Sequence, residues 1–142
     1  MLSSLFDSFN ITAASLITQA RLKQINIENL SNASSLVKNF NGSYHTYVPK
    51  KAIVKFLPYQ KNEKNIGSIY IDKIIDKEKP KNFINKLDYM SLKNYENLKT
   101  NHTNFLTETV KNLDISLQYK MSLEILKTIK SLILKTLSLY EI

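Results

Sequence analysis

The sequence of 142 residues contains no cysteine, no tryptophan, two glycines and three prolines. Without cysteine the chain has no disulfide, no thiol nucleophile and no thiolate metal ligand. Two isolated glycines exclude a glycine-rich phosphate-binding loop. All five glycines and prolines lie between residues 42 and 80, and these are the residues that most often interrupt helices and strands. The segments on either side are therefore free to form long helices.

Arginine is also scarce. The formal net charge is +8, yet Arg21 is the one arginine among twenty basic residues. Arginine is the side chain that binds phosphates and base edges through two parallel hydrogen bonds, so this composition disfavours a nucleic-acid partner. Three lysines interrupt the most apolar stretch, residues 125–139, which excludes a span of about 20 apolar residues. The first seven residues lack a basic start, so we expect no cleaved secretory signal.

The N-terminal segment, residues 3–32, predicts a helix with one apolar face. Its apolar side chains recur at intervals of three and four, with Lys23 as an interruption. Asn32 is a suitable helix end, because asparagine tolerates the left-handed conformation that closes helices. The stripe comprises Leu2, Phe6, Phe9, Ala13, Leu16, Ala20, Ile27 and Leu30.

The C-terminal segment predicts a second helix over residues 105–142. We expect it to begin near Asn104, a favourable N-cap residue, with Glu108 near its positive end. Plotting residues 120–142 at about 100° per residue gives a wide apolar sector, with Leu123 and Leu134 outside it. The sector comprises Ile125, Leu126, Ile129, Leu132, Ile133, Leu137, Leu139 and Tyr140. One 30-residue partner helix cannot cover so wide a face, so we expect contacts with other subunits.

The middle of the chain predicts short strands. Residues 52–57 and 68–75 are rich in β-branched side chains, and the charged residues 60–65 connect them. Asn41-Gly42 predicts a turn. Residues 76–104 are polar, and we expect an extended segment with little regular structure.

These elements predict an α+β fold that is mainly α. The two terminal helices pair as a coiled coil and form a core domain from residues 1–33 and 105–142. Residues 34–104 form a small outer domain with short strands and an extended loop.

The sequence offers no catalytic or metal-binding constellation. His45 and His102 are far apart and lack neighbouring acidic residues, so we interpret both as exposed loop residues. No serine lies in a nucleophile motif or beside an activating base. We expect no enzymatic activity, no cofactor and no metal.

Two segments carry a family resemblance. Residues 123–139, preceded by Tyr119, resemble the C-terminus of flagellar proximal-rod proteins. Phe6-Asp7 and the run Asn29-Leu30-Ser31-Asn32-Ala33 resemble the asparagine signature shared by rod, hook and other axial flagellar proteins. The family usually has aspartate where this chain has Asn104, and residues 60–104 show almost no resemblance.

The resemblance implies a structural subunit of the bacterial flagellar basal-body rod. Such a subunit leaves the cell through the flagellar type III export apparatus without a cleaved signal and assembles in the periplasm with copies of itself and other rod proteins. Its terminal helices form an inner tube that transmits torque and encloses the export conduit. The predicted subunit interface comprises Phe6, Phe9, Ala13, Leu16, Ala20, Ile27, Asn29, Leu30, Asn32, Tyr119, Ile125, Leu126, Ile129, Leu132, Ile133 and Leu137.

Asn29 and Asn32 are included in that interface because the point where the first helix ends fixes how the chain enters the outer domain.

A second hypothesis for the function of the chain stays open. The apolar C-terminal helix carries lysines, a pattern that also occurs in helices that bind membrane surfaces.

Overall fold

The computed structural model describes residues 2–33, 35–38, 40–42, 44–58, 67–77, 83–84 and 105–139. The elements in chain order are α1 (Leu2–Ser31), β1 (Leu36–Lys38), β2 (Tyr44–Thr46), β3 (Lys50–Leu57), β4 (Ser68–Asp76), β5 (Phe83–Ile84) and α2 (Phe105–Ser138).

The two long helices pack against each other in antiparallel directions. Asn26, near the end of α1, hydrogen-bonds to Glu108, in the first turn of α2. At the other end of the pair, Phe6 of α1 shares an apolar cleft with Ile133 of α2. With the antiparallel strands between the helices, this confirms the predicted α+β fold with paired terminal helices.

The second helix is shorter than predicted. We expected it to reach Ile142, but α2 ends at Ser138, and the Leu139 amide donates to the Thr136 carbonyl at 3.3 Å. A tightened final turn of this kind satisfies carbonyls that have no partner further along the helix. Residues 140–142 lie outside the described residues, as does Asn104.

Strands β3 and β4 form an antiparallel two-stranded ribbon that packs on α1. They confirm the strands predicted at residues 52–57 and 68–75, whereas the predicted connection at 60–65 is outside the described residues. The register shifts between Ile53 and Val54, so that Asp72 of β4 is bulged and reaches Lys55 at 3.0 Å. Thr18 of α1 donates its hydroxyl to the Ile69 carbonyl at 2.7 Å, which holds the far end of the ribbon to the helix.

Strands β1, β2 and β5 form a small antiparallel sheet that the sequence did not predict. His45 lies in β2 and is half-buried, so its interpretation as an exposed loop residue was wrong; His102 is outside the described residues. The expectation of an extended segment at 76–104 falls mostly outside them too, except that Phe83–Ile84 pair with β2. Each of these strands has only two or three residues, too few for a periodic pattern.

Among the described residues, buried side chains are few and are as often polar as apolar. The buried apolar residues are Ile25, Ala33, Val48, Pro49 and Ile133; the buried polar residues are Thr18, Asn26, Asn29, Thr46 and Glu108. The side chains of Thr18, Asn29 and Glu108 are hydrogen-bonded, as buried polar groups usually are, whereas Asn26 Oδ1 and Thr46 Oγ1 have no hydrogen-bond partner among the described residues. Directional contacts therefore set much of the packing of this small domain.

The turn at Asn41-Gly42, which was predicted, provides a test of the small sheet. Gly42 has φ +84° and a Cβ placed there would meet no atom within 4 Å. We expect Gly42→Ala to lower the free energy of unfolding by about 1 kcal/mol, because a left-handed backbone strains an L-residue. Gly42→Asn should cost less, since asparagine tolerates this conformation. Urea denaturation of the two variants measures the difference, and an alanine variant as stable as the parent would contradict it.

Candidate assembly site

Asn29 joins the end of α1 to the start of β3. Its side chain is 3% exposed. Its Nδ2 donates to the Lys50 carbonyl at 2.9 Å, and its Oδ1 accepts the Lys50 amide at 2.8 Å. The Tyr47 hydroxyl donates to the same oxygen at 3.0 Å. The side-chain amide thus pairs with the Lys50 backbone as a residue of an adjacent strand would.

Asparagine suits this position because its amide carries a donor and an acceptor in one plane. Aspartate at residue 29 would lack the donor for the Lys50 carbonyl, and an apolar residue would leave the Lys50 amide unpaired. The first asparagine of the signature therefore fixes the direction in which the chain leaves the helix.

Asn32, the second asparagine of the signature, closes α1. Its Nδ2 donates to the Glu28 carbonyl at 2.8 Å, and its backbone amide donates to the same carbonyl at 3.1 Å. The Asn32 carbonyl then accepts the Ser35 amide at 2.9 Å. Leu30, between the two asparagines, is half-buried. The signature thus ends α1 and fixes the direction of the chain that follows the helix.

Tyr47 completes the Asn29 cluster. Burial raises the pKa of the Tyr47 phenol above its usual value; the nearby Lys50 ammonium opposes this rise and the Glu28 carboxylate adds to it. The phenol therefore keeps the proton that it donates to Asn29. Among the described residues, Tyr47 is the tyrosine that hydrogen-bonds to the signature.

Glu108 joins three elements at the junction of α1, β4 and α2. It is 3% exposed. Its carboxylate accepts from Asn26 Nδ2 at 2.7 Å and from Lys111 Nζ at 2.8 Å, and Lys77 Nζ lies 4.0 Å away. These groups line a cavity of about 510 Å³. A buried carboxylate needs such partners, because an unpaired buried charge is costly.

Sequence reasoning had placed Glu108 near the helix dipole and missed its burial. The available signal was spacing, since Glu108 stands in one series with Asn112, Ile115 and Tyr119 at intervals of four and three.

Helix α2 has two faces with different chemistry. The face toward α1 is buried or half-buried and comprises Glu108, Asn112, Ile115, Tyr119, Ser122, Leu126, Ile129, Ile133 and Thr136. At about 100° per residue, the opposite side carries Leu106, Val110, Leu113, Leu117 and Met121, hereafter the outer stripe of α2. These five side chains are 57–70% exposed. Several inward positions are polar, whereas the outer stripe is apolar.

The apolar sector predicted for the C-terminal helix divides between these faces. Tyr119, Leu126, Ile129 and Ile133 lie toward α1, together with Leu123, which the projection had placed on the polar side. The predicted interface residues that stay exposed are Ile125, Leu132 and Leu137. The helical projection of the sequence covered only residues 120–142. It therefore left out the first half of α2, where both the residues that face α1 and the outer stripe begin.

The apolar stripe predicted for the N-terminal helix divides in the same way. Phe9, Leu16 and Leu30 are half-buried. Phe6, Ala20 and Ile27 are exposed, and the 71% exposed Ile17 lies on the same side. The outward residues recur at intervals of four and three: Phe6, Asn10, Ala13, Ile17, Ala20, Gln24 and Ile27, hereafter the outer stripe of α1.

The described residues hold no cluster of three or more histidine, cysteine, aspartate or glutamate side chains suited to a metal ion. His45 Nδ1 lies 2.8 Å from the Thr46 carbonyl. In the same described ranges, neither helix contains a stretch that meets the length and hydropathy needed to cross a membrane. The main features of the described residues are the anchored helix end and the two outer stripes.

The described chain is therefore a helix pair with apolar outer stripes and an insert anchored by the asparagine signature, an architecture typical of structural proteins. No family model matches the chain. Curated relatives do, and they cover it almost completely.

The chain is 33% identical over 138 residues to the flagellar basal-body rod protein FlgC of Buchnera aphidicola subsp. Acyrthosiphon pisum, covering 97% of this chain and 99% of the relative. It is 34% identical over 139 residues to FlgC of subsp. Schizaphis graminum, with coverage of 97% and 99%. It is 30% identical over 137 residues to FlgC of subsp. Baizongia pistaciae, with coverage of 96% and 98%. The chain belongs to the FlgC family of flagellar basal-body rod proteins.

The Asn29 anchor predicts a large loss of stability on substitution. Asn29→Ala removes three hydrogen bonds and leaves the Lys50 backbone groups unpaired, so we expect the free energy of unfolding to fall by about 2 kcal/mol or more. Asn29→Asp should also destabilise, because it places a carboxylate against the Lys50 carbonyl. Asn10→Ala, an exposed change on the same helix, is the control and should shift stability by less than about 0.5 kcal/mol. Urea denaturation followed by circular dichroism measures all three; equal losses at residues 10 and 29 would refute the anchor.

The raised pKa of Tyr47 predicts a loss of stability at alkaline pH. The folded state holds the phenol proton more tightly than the unfolded state, whose tyrosine has a pKa of about 10. The stabilisation is therefore complete below about pH 10 and is lost as the pH rises through the folded-state pKa. Tyr47→Phe should reduce the slope of stability against pH in that range, whereas Tyr70→Phe, at a more exposed position, should leave it closer to that of the parent. Identical slopes in the two variants would contradict the role of Tyr47.

Proposed function

We propose that the protein is a structural subunit of the flagellar basal-body rod that polymerises through α1 and α2. Its role is mechanical: the assembled helices transmit torque and enclose the export conduit, without enzymatic activity. The observation that carries this proposal is the row of exposed apolar side chains along the outer stripe of each helix; on α1, Phe6 and Ile17 also border clefts lined by α2 and by the ribbon.

The energetics favour association. Large apolar side chains that cluster on the surface of a monomer usually mark an interaction site. Moving the five mostly exposed side chains of the α2 outer stripe out of water contributes on the order of 5 kcal/mol at about 25 cal/mol per Å². The face between α1 and α2 within one subunit carries several polar residues, so it gains less from burial. The helix pair is therefore more stable when further copies cover its outer faces.

The predicted interface residues take two roles in this proposal. Those that face the partner helix (Phe9, Leu16, Tyr119, Leu126, Ile129 and Ile133) hold the subunit together. Those that are exposed or on an outer stripe (Phe6, Ala13, Ala20, Ile27, Ile125, Leu132 and Leu137) contact neighbouring subunits. Asn29, Leu30 and Asn32 set the geometry between the helices and the insert.

The insert of residues 34–104 is proposed as the outer domain of the subunit. In its support, the β3–β4 ribbon packs on α1, and within the described residues the outer stripe of α2 stays uncovered. Membership of the FlgC family supports a place in the basal body. We further propose passage through the type III export apparatus without a cleaved signal and assembly in the periplasm with other rod proteins. Because the core of the described residues is small and the chain has no disulfide, unfolding before export requires little free energy.

A membrane-surface role is the weaker candidate. Asp114 and Glu124 are exposed on α2 at the borders of the outer side, where acidic groups oppose binding to anionic lipids. The exposed Lys127 is paired with Glu124 at 2.7 Å, which reduces its attraction for such lipids.

Single substitutions on the two faces of α2 test the proposal. Leu117→Asp places a charge on the outer stripe, so we expect normal helicity of the isolated subunit but loss of assembly with itself and other rod proteins. Leu126→Asp, on the face toward α1, should instead lower the stability of the subunit. Lys127→Gln is the control and should be nearly silent.

Circular dichroism reports the fold, sedimentation at high protein concentration reports assembly, and electron microscopy of basal bodies reports rods in cells. Full assembly and complete rods with Leu117→Asp would show that the outer stripe of α2 is not an interface.

A further inference from the structure

Arg21 is the one arginine of the chain, and its contacts with the described residues do not use its charge. It is exposed on α1, at the border of the outer stripe, where it lines a shallow cleft with Ile17 and Tyr70. Its guanidinium donates to Gln24 Oε1 at 3.0 Å. Within the described part of the chain it forms no ion pair. An arginine that binds only a neutral side chain is available for a carboxylate from outside.

Asp114 is its counterpart on α2. It is exposed and follows Leu113 of the outer stripe. Its Oδ2 accepts from Gln118 Nε2 at 3.0 Å, and among the described residues it forms no ion pair. Arg21 on α1 and Asp114 on α2 are thus two charges of opposite sign, each hydrogen-bonded to a neutral glutamine and each at the border of an outer stripe.

The two charges stand at nearly the same height along the helix pair. The hydrogen bond between Asn26 and Glu108 fixes the level at which α1 and α2 meet. Asp114 lies six residues beyond Glu108, or about 9 Å, and Arg21 lies five residues before Asn26, or about 7.5 Å in the same direction. A second copy displaced sideways, without sliding along the helices, brings its Arg21 level with Asp114 of the first.

Both charges also lie on the side of the helix pair that carries the ribbon. Arg21 shares its cleft with Tyr70 of β4. On α2, Lys111, three residues before Asp114, lines the junction cavity with Lys50 and Ile75 of the ribbon. Sideways displacement keeps the ribbons of both copies on one side, so the two charges approach each other at the same border.

The two outer stripes differ in side-chain size. The stripe of α1 includes Ala13 and Ala20. The part of the α2 stripe that lies at the same height along the helix pair carries Leu113, Leu117 and Met121. Large side chains of one helix pack into the spaces left by small ones on another. The stripes are therefore more complementary to each other than either is to itself.

We infer that neighbouring copies associate side by side, with the outer stripe of α2 on one copy against the outer stripe of α1 on the next and an Asp114–Arg21 ion pair between them. This rests on the proposed function and adds to it the partner face and its register. Such an interface joins two different surfaces, so it does not close on itself in a dimer and continues into an open helical assembly. Arginine makes this contact directional, because its guanidinium binds a carboxylate through two parallel hydrogen bonds.

Charge reversal tests the pairing in the full-length protein. Arg21→Glu and Asp114→Arg each place like charges together, and we expect each to weaken self-association about tenfold or more. The double variant restores an opposite pair and should recover association to within about threefold of the parent. Both positions are exposed, so circular dichroism should be unchanged. The pairing would be overturned if the single variants associated as tightly as the parent. It would also be overturned if self-association of the double variant were weakened by the combined effects of the two single variants.

Cysteine cross-linking gives a second readout, because the chain has no cysteine of its own. Arg21→Cys and Asp114→Cys copies are mixed and oxidised at a concentration where the parent associates. We expect a disulfide-linked dimer of one copy of each variant, and little when Lys127→Cys replaces Asp114→Cys. Dimers formed mainly between identical variants would overturn the pairing and indicate a symmetric interface.

The failures of the two proposals are distinguishable. If Leu117→Asp blocks assembly while charge reversal and cross-linking are negative, the rod function stands and the Asp114–Arg21 register is wrong. If the parent chain does not associate with itself at any concentration, yet the protein is built into rods, then the partner face belongs to another subunit and this inference is overturned.

Discussion

The pairing of the Asn29 side-chain amide with the Lys50 backbone is the constraint on which the arrangement of this subunit depends. It lies where a 30-residue helix gives way to an insert that then packs back along that helix. Two hydrogen bonds to one residue fix position and direction together, which a single apolar contact cannot do. The ribbon that begins at Lys50 is then aligned along α1, and Thr18 holds its far end at the Ile69 carbonyl. Without the pairing, helix and ribbon would still form, but the angle between them would be undefined.

The distribution of polar and apolar residues is consistent with the proposed assembly. Glu108, Asn112 and Ser122 face the partner helix, while the outer stripe of α2 faces away from it. In a protein that functions as a monomer, the hydrophobic effect favours the opposite distribution. Polar contacts between α1 and α2 specify how the helices align but contribute modest net free energy. The apolar stripes contribute little until another surface covers them, so stability is gained on assembly.

Most of the architecture could be predicted from the sequence, whereas the helix faces could not. The helices followed from two long segments without glycine or proline, and β3 and β4 from their β-branched residues. Strands β1, β2 and β5 are too short to show a period. The face assignment failed because α2 is apolar on both sides: Leu123 and Ile129 face α1, yet Ile125 and Leu132 do not, and hydrophobicity alone does not separate them. The spacing of Glu108, Asn112 and Ile115 indicates the face on which Glu108 lies, but its partner Asn26 is 82 residues away in sequence, and that pairing leaves no local signal.

Hydrogen bonds and apolar contacts have different roles in this subunit. Under the proposed export route, the subunit has to unfold readily, yet it has to present its contact surfaces in one geometry once it folds. Hydrogen bonds at Asn29, Asn32 and Glu108 supply that geometry, because they are directional. Their net contribution to the free energy of unfolding is modest because water replaces them in the unfolded chain, whereas removing one partner from the folded state leaves buried groups unpaired and costs more. Apolar surface supplies affinity, because its contribution scales with the area covered and requires little orientation. Because the ribbon is fastened to α1, it leaves Leu113, Leu117 and Met121 of α2 exposed, and the subunit is folded before the proposed contacts with other copies are made.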